Sequence, residues 1–343
     1  AYIFNVLTYD NIPYWLGALL SFGIVVIYVA TSGVRGAAWS DVFQAILMLL
    51  IAWILGLYFV NTLHGGVSNM FENISSNNAD FLMIGKEGSS MSEARYSSNI
   101  IISMIGFVMW PHLFTKSYTT TEKRIKTTVA VYPIFALFLL PVLFIGFSGI
   151  GVVAQSDIDN SGQILPYLIT NHLTSSGLLY GLVGAGALAA AMSSSDAIAH
   201  GASVSFGRDI CKVIYPKLRE SSELLIMRIA VFSIGGIAYL LAIFGGDGLI
   251  QLLLGAYGPI AQLAPAVYAS LFFRRANAIS VVFGLLIGVT TTIYFQYLAV
   301  SSFMDLHPGL IGLVVNVIMV ILGTYVFSQK DKERQKAEEF FKL

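Results

Sequence analysis

Charged residues are scarce in this sequence. Asp, Glu, Lys and Arg make up 11% of its 343 residues, against about 25% in soluble domains. Hydrophobic residues make up 56%, and the mean hydropathy is +0.77. This composition excludes an ordinary soluble domain and predicts an integral membrane protein whose surroundings are a lipid bilayer. The formal net charge is zero, so nothing favours a nucleic-acid partner.

Cysteine is almost missing as well. The single Cys211 excludes a disulfide within the chain. The sequence also lacks a starting Met and the basic segment of a signal peptide, since it opens AYIFNVLTYD. We therefore expect that the natural N-terminus is missing. No nucleophile–base pair and no metal-ligand cluster stands out, so we expect neither an enzyme nor a cofactor.

Long apolar runs are present instead. A helix needs about 20 mostly apolar residues to span a bilayer, and we predict nine such spans. They are Pro13–Ala30, Asp41–Val60, Ile100–Phe114, Thr128–Ile150, Ser176–Ala199, Leu224–Phe244, Leu249–Phe273, Ala278–Leu298 and Leu310–Phe327. The sequence thus predicts an all-α, polytopic membrane protein, with one transmembrane domain over residues 1–343 and a short cytoplasmic tail at 329–343.

The basic residues give this layout an orientation. All 19 Lys and Arg residues fall in alternate loops and the tail, except Lys86 and Arg95. Basic residues accumulate on the cytoplasmic side of membrane proteins. We expect a multi-pass protein of the plasma (inner) membrane, with Ala1 outside and the C-terminus in the cytoplasm.

An amphipathic segment, GQILPYLITNHL, lies at residues 162–173 in one of the predicted outer loops. Its apolar face favours packing over the outer mouth of the protein. A plain solvated loop is the alternative that the sequence leaves open.

A polar cluster ends the fifth predicted span, in AAAMSSSDAIAHG at residues 189–201. Helical spacing puts Ala190 and Ser193 on one face, with Ser194 beside both. The Ser194 hydroxyl can bond the Ala190 carbonyl one turn earlier. Three such oxygens suit a hard cation. The same hydroxyls could instead join neighbouring helices, and the residues alone leave both interpretations open.

Ionisable residues within the spans are few, and such residues are candidates for function because their burial is costly. They include Asp41, Asp196 and His112. Asp41 follows Ser40 at the start of the second span, where a carboxylate stabilises the end of a helix. It could equally serve an ion or a proton, with Arg35 as its partner.

The third span contains the sequence WPH, formed by Trp110, Pro111 and His112. Proline removes a backbone donor, and helices are interrupted at membrane depth where they line a cavity. A kinked helix with an aromatic residue at the membrane interface is the alternative.

Four segments, taken together, resemble the sodium/solute symporter family and occur in that family's order. They are GVRGAAWSDVFQ (33–44), MWPHLFTKSYTTTEKRIKTTVAVYP (109–133), ALAAAMSSSDAIAHGASVSFGRDI (187–210) and GAYGPIAQLAPAVYASLFFRRAN (255–277). The second segment is similar to the monocarboxylate, pantothenate and proline branches, with Lys116 where Arg is usual. Phe273 stands where the family has Trp.

The resemblance implies a LeuT-type fold, in which two inverted five-helix repeats place the ion and the solute near the midplane. The first span resembles core helix four, the Asp41 span helix five, the WPH span helix six, and the Ser193 span helix eight. Everything before core helix four is then expected to be missing from this chain.

The resemblance also implies a sodium site at Ala190, Ser193 and Ser194. Asp41 matches the acidic residue of a second ion site that some members have. Asp196 lies at a later position of that site, while Ala197 lacks an oxygen, so Asp41 and Asp196 are candidates for a second ion or for coupling. Trp110, Pro111 and His112 are the candidates for binding solute.

We therefore expect sodium-coupled symport of a small organic solute by alternating access. The solute is expected to be a carboxylate, such as a monocarboxylate, pantothenate or proline. Proton coupling through Asp41, Asp196 or His112 is one alternative, and a transporter-like solute sensor is another.

Overall fold

A computed structural model describes residues 4–5, 8, 11–85, 91–118, 120–158, 161–173, 177–245, 249–299 and 303–341. Within these ranges the regular secondary structure is helical, and turns and loops join the helices. The main helices, in chain order, are α1 Tyr14–His64, α2 Val67–Asn77, α3 Glu93–Phe107, α4 Pro111–Ser117, α5 Glu122–Val131, α6 Ala136–Ser148, α7 Ile164–His172, α8 Gly177–Val204, α9 Glu220–Phe244, α10 Leu249–Ala261, α11 Ala264–Phe272, α12 Ala278–Ile293, α13 Pro308–Val326 and α14 Asp331–Phe340. The all-α prediction is confirmed.

Eight helices within these described ranges are long and apolar enough to cross a membrane, one fewer than predicted. The difference is the predicted span Leu249–Phe273, which is divided into α10 and α11 at Gln262 and Leu263. Pro265 lies in the first turn of α11. Because proline has no backbone N–H to donate, it favours a helix start at this point rather than an uninterrupted helix.

Several helix ends differ from the prediction. The third span begins at Glu93 instead of Ile100, since the Ser92 hydroxyl accepts the backbone N–H of Arg95 and caps the helix. The fourth begins at α5 and passes through a 3₁₀ turn, Tyr132–Phe135, before α6. The fifth extends beyond Ala199 to Val204 and continues as a π-helical stretch, Ser205–Cys211.

Helix α1 is continuous over 51 residues. It contains two candidate spans, Tyr14–Thr31 and Ala38–His64. The side chains of Tyr28 and Ser40 both reach the carboxylate of Asp196. A straight helix separates residues twelve apart by about 18 Å, which is farther than these side chains can bridge. Helix α1 must therefore bend between its two spans.

The helices form two compact units. The first comprises Ala1–Leu82 and Thr115–Gly248. Its largest apolar cluster joins α1, α6, α7 and α8 through Leu55, Phe59, Ile145, Leu168, Ile169 and Val183. Leu168 and Ile169 of α7 are completely buried. This burial confirms the amphipathic packing predicted for residues 162–173, and the alternative of a plain solvated loop is wrong.

A second cluster in this unit lies around the first span of α1. Val25, Val26 and Val29 pack against Val231 of α9. Gly235, one turn along α9, approaches Val26 so closely that any side chain there would overlap the valine. Small residues commonly allow membrane helices this close an approach.

The second unit comprises Met83–Phe114 and Leu249–Leu343. A buried amide closes the interruption between α10 and α11, because Gln262 Nε2 donates to the carbonyls of Gly258 (3.1 Å) and Gly309 (3.0 Å). Asn316 Nδ2 donates to the Gln262 carbonyl at 2.8 Å. These bonds satisfy backbone groups that would otherwise be costly away from water.

Large apolar side chains cover much of the surface. Trp39 is 78% exposed and Phe244 79% exposed. Such a surface is stable against lipid and unfavourable in water. Together with the eight candidate spans, it identifies a multi-pass membrane protein.

Candidate ion and solute sites

The proposed sodium ligands begin at the middle of α8, Gly177–Val204, and extend one turn toward its C-terminal end. The Ser193 hydroxyl donates to the Ala190 carbonyl at 3.2 Å, so the two oxygens share one face of the helix. The sequence predicted this shared face but assigned the bond to Ser194. Ser193, three residues after Ala190, makes the contact instead.

The two neighbouring serines differ in their surroundings. Ser194 is exposed. The Ser195 hydroxyl donates to the Ala191 carbonyl at 2.8 Å, so it satisfies its own helix on a different face.

Asp196 forms a polar network that the sequence did not predict. Its side chain is completely buried. Its Oδ2 accepts a hydrogen bond from the Tyr28 hydroxyl and a weaker one from the Ser40 hydroxyl at 3.5 Å. The carboxylate thus connects α8 to both spans of α1. Its other oxygen, Oδ1, is buried without a hydrogen-bond partner among the described residues.

Asp41 is paired with a cation. Lys116 Nζ lies 3.2 Å from Asp41 Oδ2, and the two side chains are 54% and 25% exposed, respectively. The side chain of Arg35, the partner expected from the sequence, lies outside the described residues. Asp41 Oδ1 is buried and has no hydrogen-bond partner in the described part of the chain. An ammonium therefore already balances the Asp41 carboxylate.

The WPH segment interrupts a helix, as predicted. Helix α3 ends at Phe107 and α4 begins at Pro111. The ring of Trp110 lies between those of His112 and Tyr257, with centroid distances of 5.7 Å to each. The Trp110–Tyr257 contact is edge to face, at an interplanar angle of 90°, which is a favourable arrangement for aromatic rings.

These residues divide between the two units. Ala190, the serines and the two carboxylates belong to the first unit, whereas Trp110, His112 and Tyr257 belong to the second. The first set offers several oxygens and two acids around α8 and α1. The second offers an aromatic surface and an imidazole beside a helix break. The former chemistry suits a cation, and the latter suits an organic molecule.

A family model identifies the class of protein to which both sites belong. The model of the sodium:solute symporter family matches residues 8–288. The chain belongs to the sodium:solute symporter family. The relatives described below are named symporters and transporters.

The relatives include an uncharacterized symporter of Bacillus subtilis, YhjB, which is 28% identical over 330 residues, covering 93% of this chain and 66% of YhjB. The sodium/sialic acid symporter NanT of Aliivibrio fischeri is 24% identical, over 93% of this chain and 65% of NanT. The proline transporter PutP of Bacillus subtilis is 24% identical, over 93% and 67%. The chain thus spans about two thirds of the length of these relatives.

A solved structure shares the fold. A sodium-coupled sialic acid symporter in a substrate-bound, outward-open state superimposes with a TM-score of 0.69 at 22% sequence identity, covering 96% of this chain and 70% of that protein. This similarity confirms the LeuT-type fold.

Proposed function

We propose that this protein takes up a small organic solute by symport with sodium ions. The observation that carries the proposal is the 3.2 Å contact between Ser193 Oγ and the Ala190 carbonyl. Two neutral oxygens at this separation can contact one cation, since Ca²⁺, another hard cation, holds its oxygen ligands at about 2.3–2.6 Å. The named sodium/sialic acid symporters among the relatives support the same ion.

The Ser193 hydroxyl is suited to this role because its proton is already donated to Ala190. A hydroxyl carries two lone pairs in addition to its proton, and these lone pairs are available to a cation. Ser194 supplies a third oxygen beside them. Backbone carbonyls from an interrupted helix complete such sites in transporters of this architecture.

Coupling requires that sodium binds one state of the transporter more tightly than another. We propose that sodium at Ala190, Ser193 and Ser194 stabilises the state that accepts solute from outside. When the helices move apart on the inner side, the ion loses some of these oxygens and is released. The sodium gradient then drives accumulation of the solute.

We propose that Asp41 is a coupling residue rather than a ligand of a second sodium. Lys116 Nζ lies 3.2 Å from its carboxylate, so a second sodium would have to displace an ammonium. Ala197 provides no side-chain oxygen at the position where a further ligand is expected. The Asp41–Lys116 pair joins α1 to α4, and its formation and breakage can accompany the movement of α4.

Proton coupling remains the second candidate because of Asp196. Its buried Oδ1 has no partner among the described residues, and either a proton or a cation would satisfy that oxygen. The two mechanisms differ in the gradient they use.

We propose that the solute carries a carboxylate, as monocarboxylates, pantothenate and proline do, and that it contacts Trp110, Pro111 and His112. The Trp110 ring provides an apolar surface, and His112 provides a polar group at its edge, 5.7 Å away. Proline and sialic acid, named for the relatives, both carry a carboxylate group at neutral pH.

We also propose the plasma membrane as the location, with the C-terminus of the chain in the cytoplasm. The support is the basic tail and the concentration of Lys and Arg in alternate loops. In this orientation, α7 lies on the outer side of the membrane, and the C-terminal end of α4, which contains Lys116, lies on the inner side.

Uptake by the full-length transporter in proteoliposomes tests the proposal. Labelled proline, pantothenate, sialic acid and short monocarboxylates are offered under an inward sodium gradient, and separately under an inward proton gradient without sodium. We expect accumulation of a carboxylate under the sodium gradient only. Accumulation driven by protons alone would establish the second candidate, and specific binding without accumulation would indicate a solute sensor.

Replacing Trp110 with alanine is expected to raise the KM for the solute about tenfold. An aromatic contact contributes about 0.5–1.5 kcal/mol beyond its buried area, and the ion site lies on a different unit of the chain. The sodium concentration for half-maximal uptake should therefore stay unchanged. Trp15→Ala removes an exposed tryptophan from α1 and is the matched control. An unchanged KM in the Trp110 variant would remove this residue from the solute site.

A further inference from the structure

An apolar groove lies in the second unit, and none of the candidate ion or solute residues lines it. It encloses about 490 Å³ between α11 and α13. Its floor is formed by buried residues, among them Ala264, Ala269 and Leu313. Its rim carries exposed aromatic side chains, with Phe272 at 71% and Tyr325 at 73% exposure.

The groove has the length of one leaflet. Along α13 it extends from Leu313 to Tyr325, which corresponds to about 18 Å at 1.5 Å per residue. The hydrocarbon core of a bilayer is about 30 Å thick, so half of it is similar in length. Because Tyr325 lies one residue before the end of the candidate span Pro308–Val326, one end of the groove lies at a membrane surface.

Two arginine residues lie at one end of the groove. Arg274 and Arg275 follow α11 directly, and both line the groove. Both side chains are exposed. Within the described part of the chain, Arg275 forms no ion pair with an acidic residue. Arg274 lies 3.7 Å from Glu338 of α14, with side chains 62% and 38% exposed, and a pair this exposed is weak.

We propose that this groove binds an anionic phospholipid. One acyl chain lies along Ala269, Val317 and Ile321, and the headgroup phosphate contacts the guanidinium groups of Arg274 and Arg275. The apolar lining matches an acyl chain, and the paired arginines match a phosphate, which a guanidinium binds through two parallel N–H donors. Arginines beside an apolar groove at the membrane surface are typical of sites that select anionic headgroups.

The surface around the groove favours a lipid over a soluble molecule. The groove opens on a helical surface rich in exposed apolar residues, including Phe273 and Ile321, which faces lipid in a membrane protein. A lipid reaches it by lateral diffusion, with its headgroup already at the depth of the arginines.

Native mass spectrometry of the purified full-length transporter tests this proposal. The protein is delipidated and titrated with phosphatidylglycerol or phosphatidylcholine of the same acyl chains, and bound lipid is counted. We expect saturable retention of phosphatidylglycerol and weaker retention of phosphatidylcholine. Equal retention of the two lipids, or no retention of either, would overturn the proposal.

The arginines are tested by substitution. A basic residue near a membrane surface contributes about 1 kcal/mol, or about fivefold, to binding of anionic lipid. We expect a rise of about fivefold in the Kd for phosphatidylglycerol for Arg275→Gln, and about 25-fold for the double variant with Arg274→Gln. Lys217→Gln removes an exposed cation from another turn and controls for general attraction. A loss as large in this control would contradict a defined site.

The acyl chain is tested by filling the groove. Val317→Trp occupies its wall, whereas Val314→Trp adds the same bulk to α13 at an exposed position outside the groove. We expect loss of retention in the first variant only. The melting temperature of each variant checks its folding. Retention by Val317→Trp at the level of Val314→Trp would show that the lipid lies elsewhere.

Discussion

Replacing Ser193 with alanine is expected to raise the sodium concentration for half-maximal uptake by about 10- to 100-fold. The substitution removes one of two oxygens that lie 3.2 Å apart on α8. A contact between a polar group and a charge is worth about 1.5–3 kcal/mol, and 1.4 kcal/mol corresponds to a factor of ten. Ser194→Ala should act in the same direction.

The neighbouring serine provides the control. The Ser195 hydroxyl donates to the Ala191 carbonyl at 2.8 Å, so it resembles Ser193 in residue type and in bonding to its own helix. It occupies a different face of α8 and bonds the carbonyl four residues earlier, whereas Ser193 bonds the carbonyl three residues earlier. Ser195→Ala should therefore leave the sodium dependence unchanged, as measured by uptake into proteoliposomes over a sodium series.

The outcomes separate a binding role from a structural one. If Ser193 only joined helices, its loss would lower the melting temperature and the amount of folded protein, while the surviving transporters would keep their sodium affinity. Unchanged sodium dependence in both Ser193→Ala and Ser194→Ala would remove these residues from the ion site.

The helix interruption at Pro111 was predictable because it has a local cause. Proline lacks the N–H that the helix requires, and any sequence window that contains it carries the signal. The division at Gln262 has a less visible cause. Its side-chain amide replaces lost backbone bonds by donating to Gly258 and Gly309, and a hydropathy profile records only continuous apolar character. Pro259 and Pro265, on either side, were the available signal.

The candidate ion site also combines a feature that the sequence predicted with contacts that it could not predict. The shared face of Ala190 and Ser193 follows from helical spacing alone, so the sequence predicted it. The Tyr28–Asp196 contact joins residues 168 positions apart. It depends on how α1 bends and packs against α8, which no local pattern specifies. Lys116 was likewise recognised as a basic residue of the WPH region, but its pairing with Asp41 required the fold.

Asp196→Ala is expected to destabilise the protein by about 2–4 kcal/mol. The half-buried Tyr28 hydroxyl would lose its bond to the carboxylate, and a hydrogen bond to a charged group contributes about 1.5–3 kcal/mol. The missing side chain would also leave a small cavity. Asp196→Asn keeps an oxygen at the same place and should cost less than about 1 kcal/mol. Thermal unfolding in detergent measures both effects.

A double-mutant cycle isolates the contact between the two side chains. Tyr28→Phe removes only the hydroxyl, so its combination with Asp196→Ala should be less damaging than the sum of the two single variants. Neighbouring groups in one hydrogen-bond network typically couple by about 0.5–3 kcal/mol. Strict additivity would show that the contact contributes nothing to stability.

Transport by Asp196→Asn then decides what the carboxylate does. The amide preserves the size and the acceptor of the side chain but cannot ionise. If Asp196 is an anchor between α8 and α1, sodium-driven uptake should remain within about threefold of the parent, because the ion site at Ala190 and Ser193 is intact. If Asp196 carries a proton during the cycle, uptake should be abolished although the protein stays folded. Because Asp196→Asn and Asp196→Ala differ in stability but both lack the charge, their comparison separates the structural contribution of this residue from its contribution to coupling.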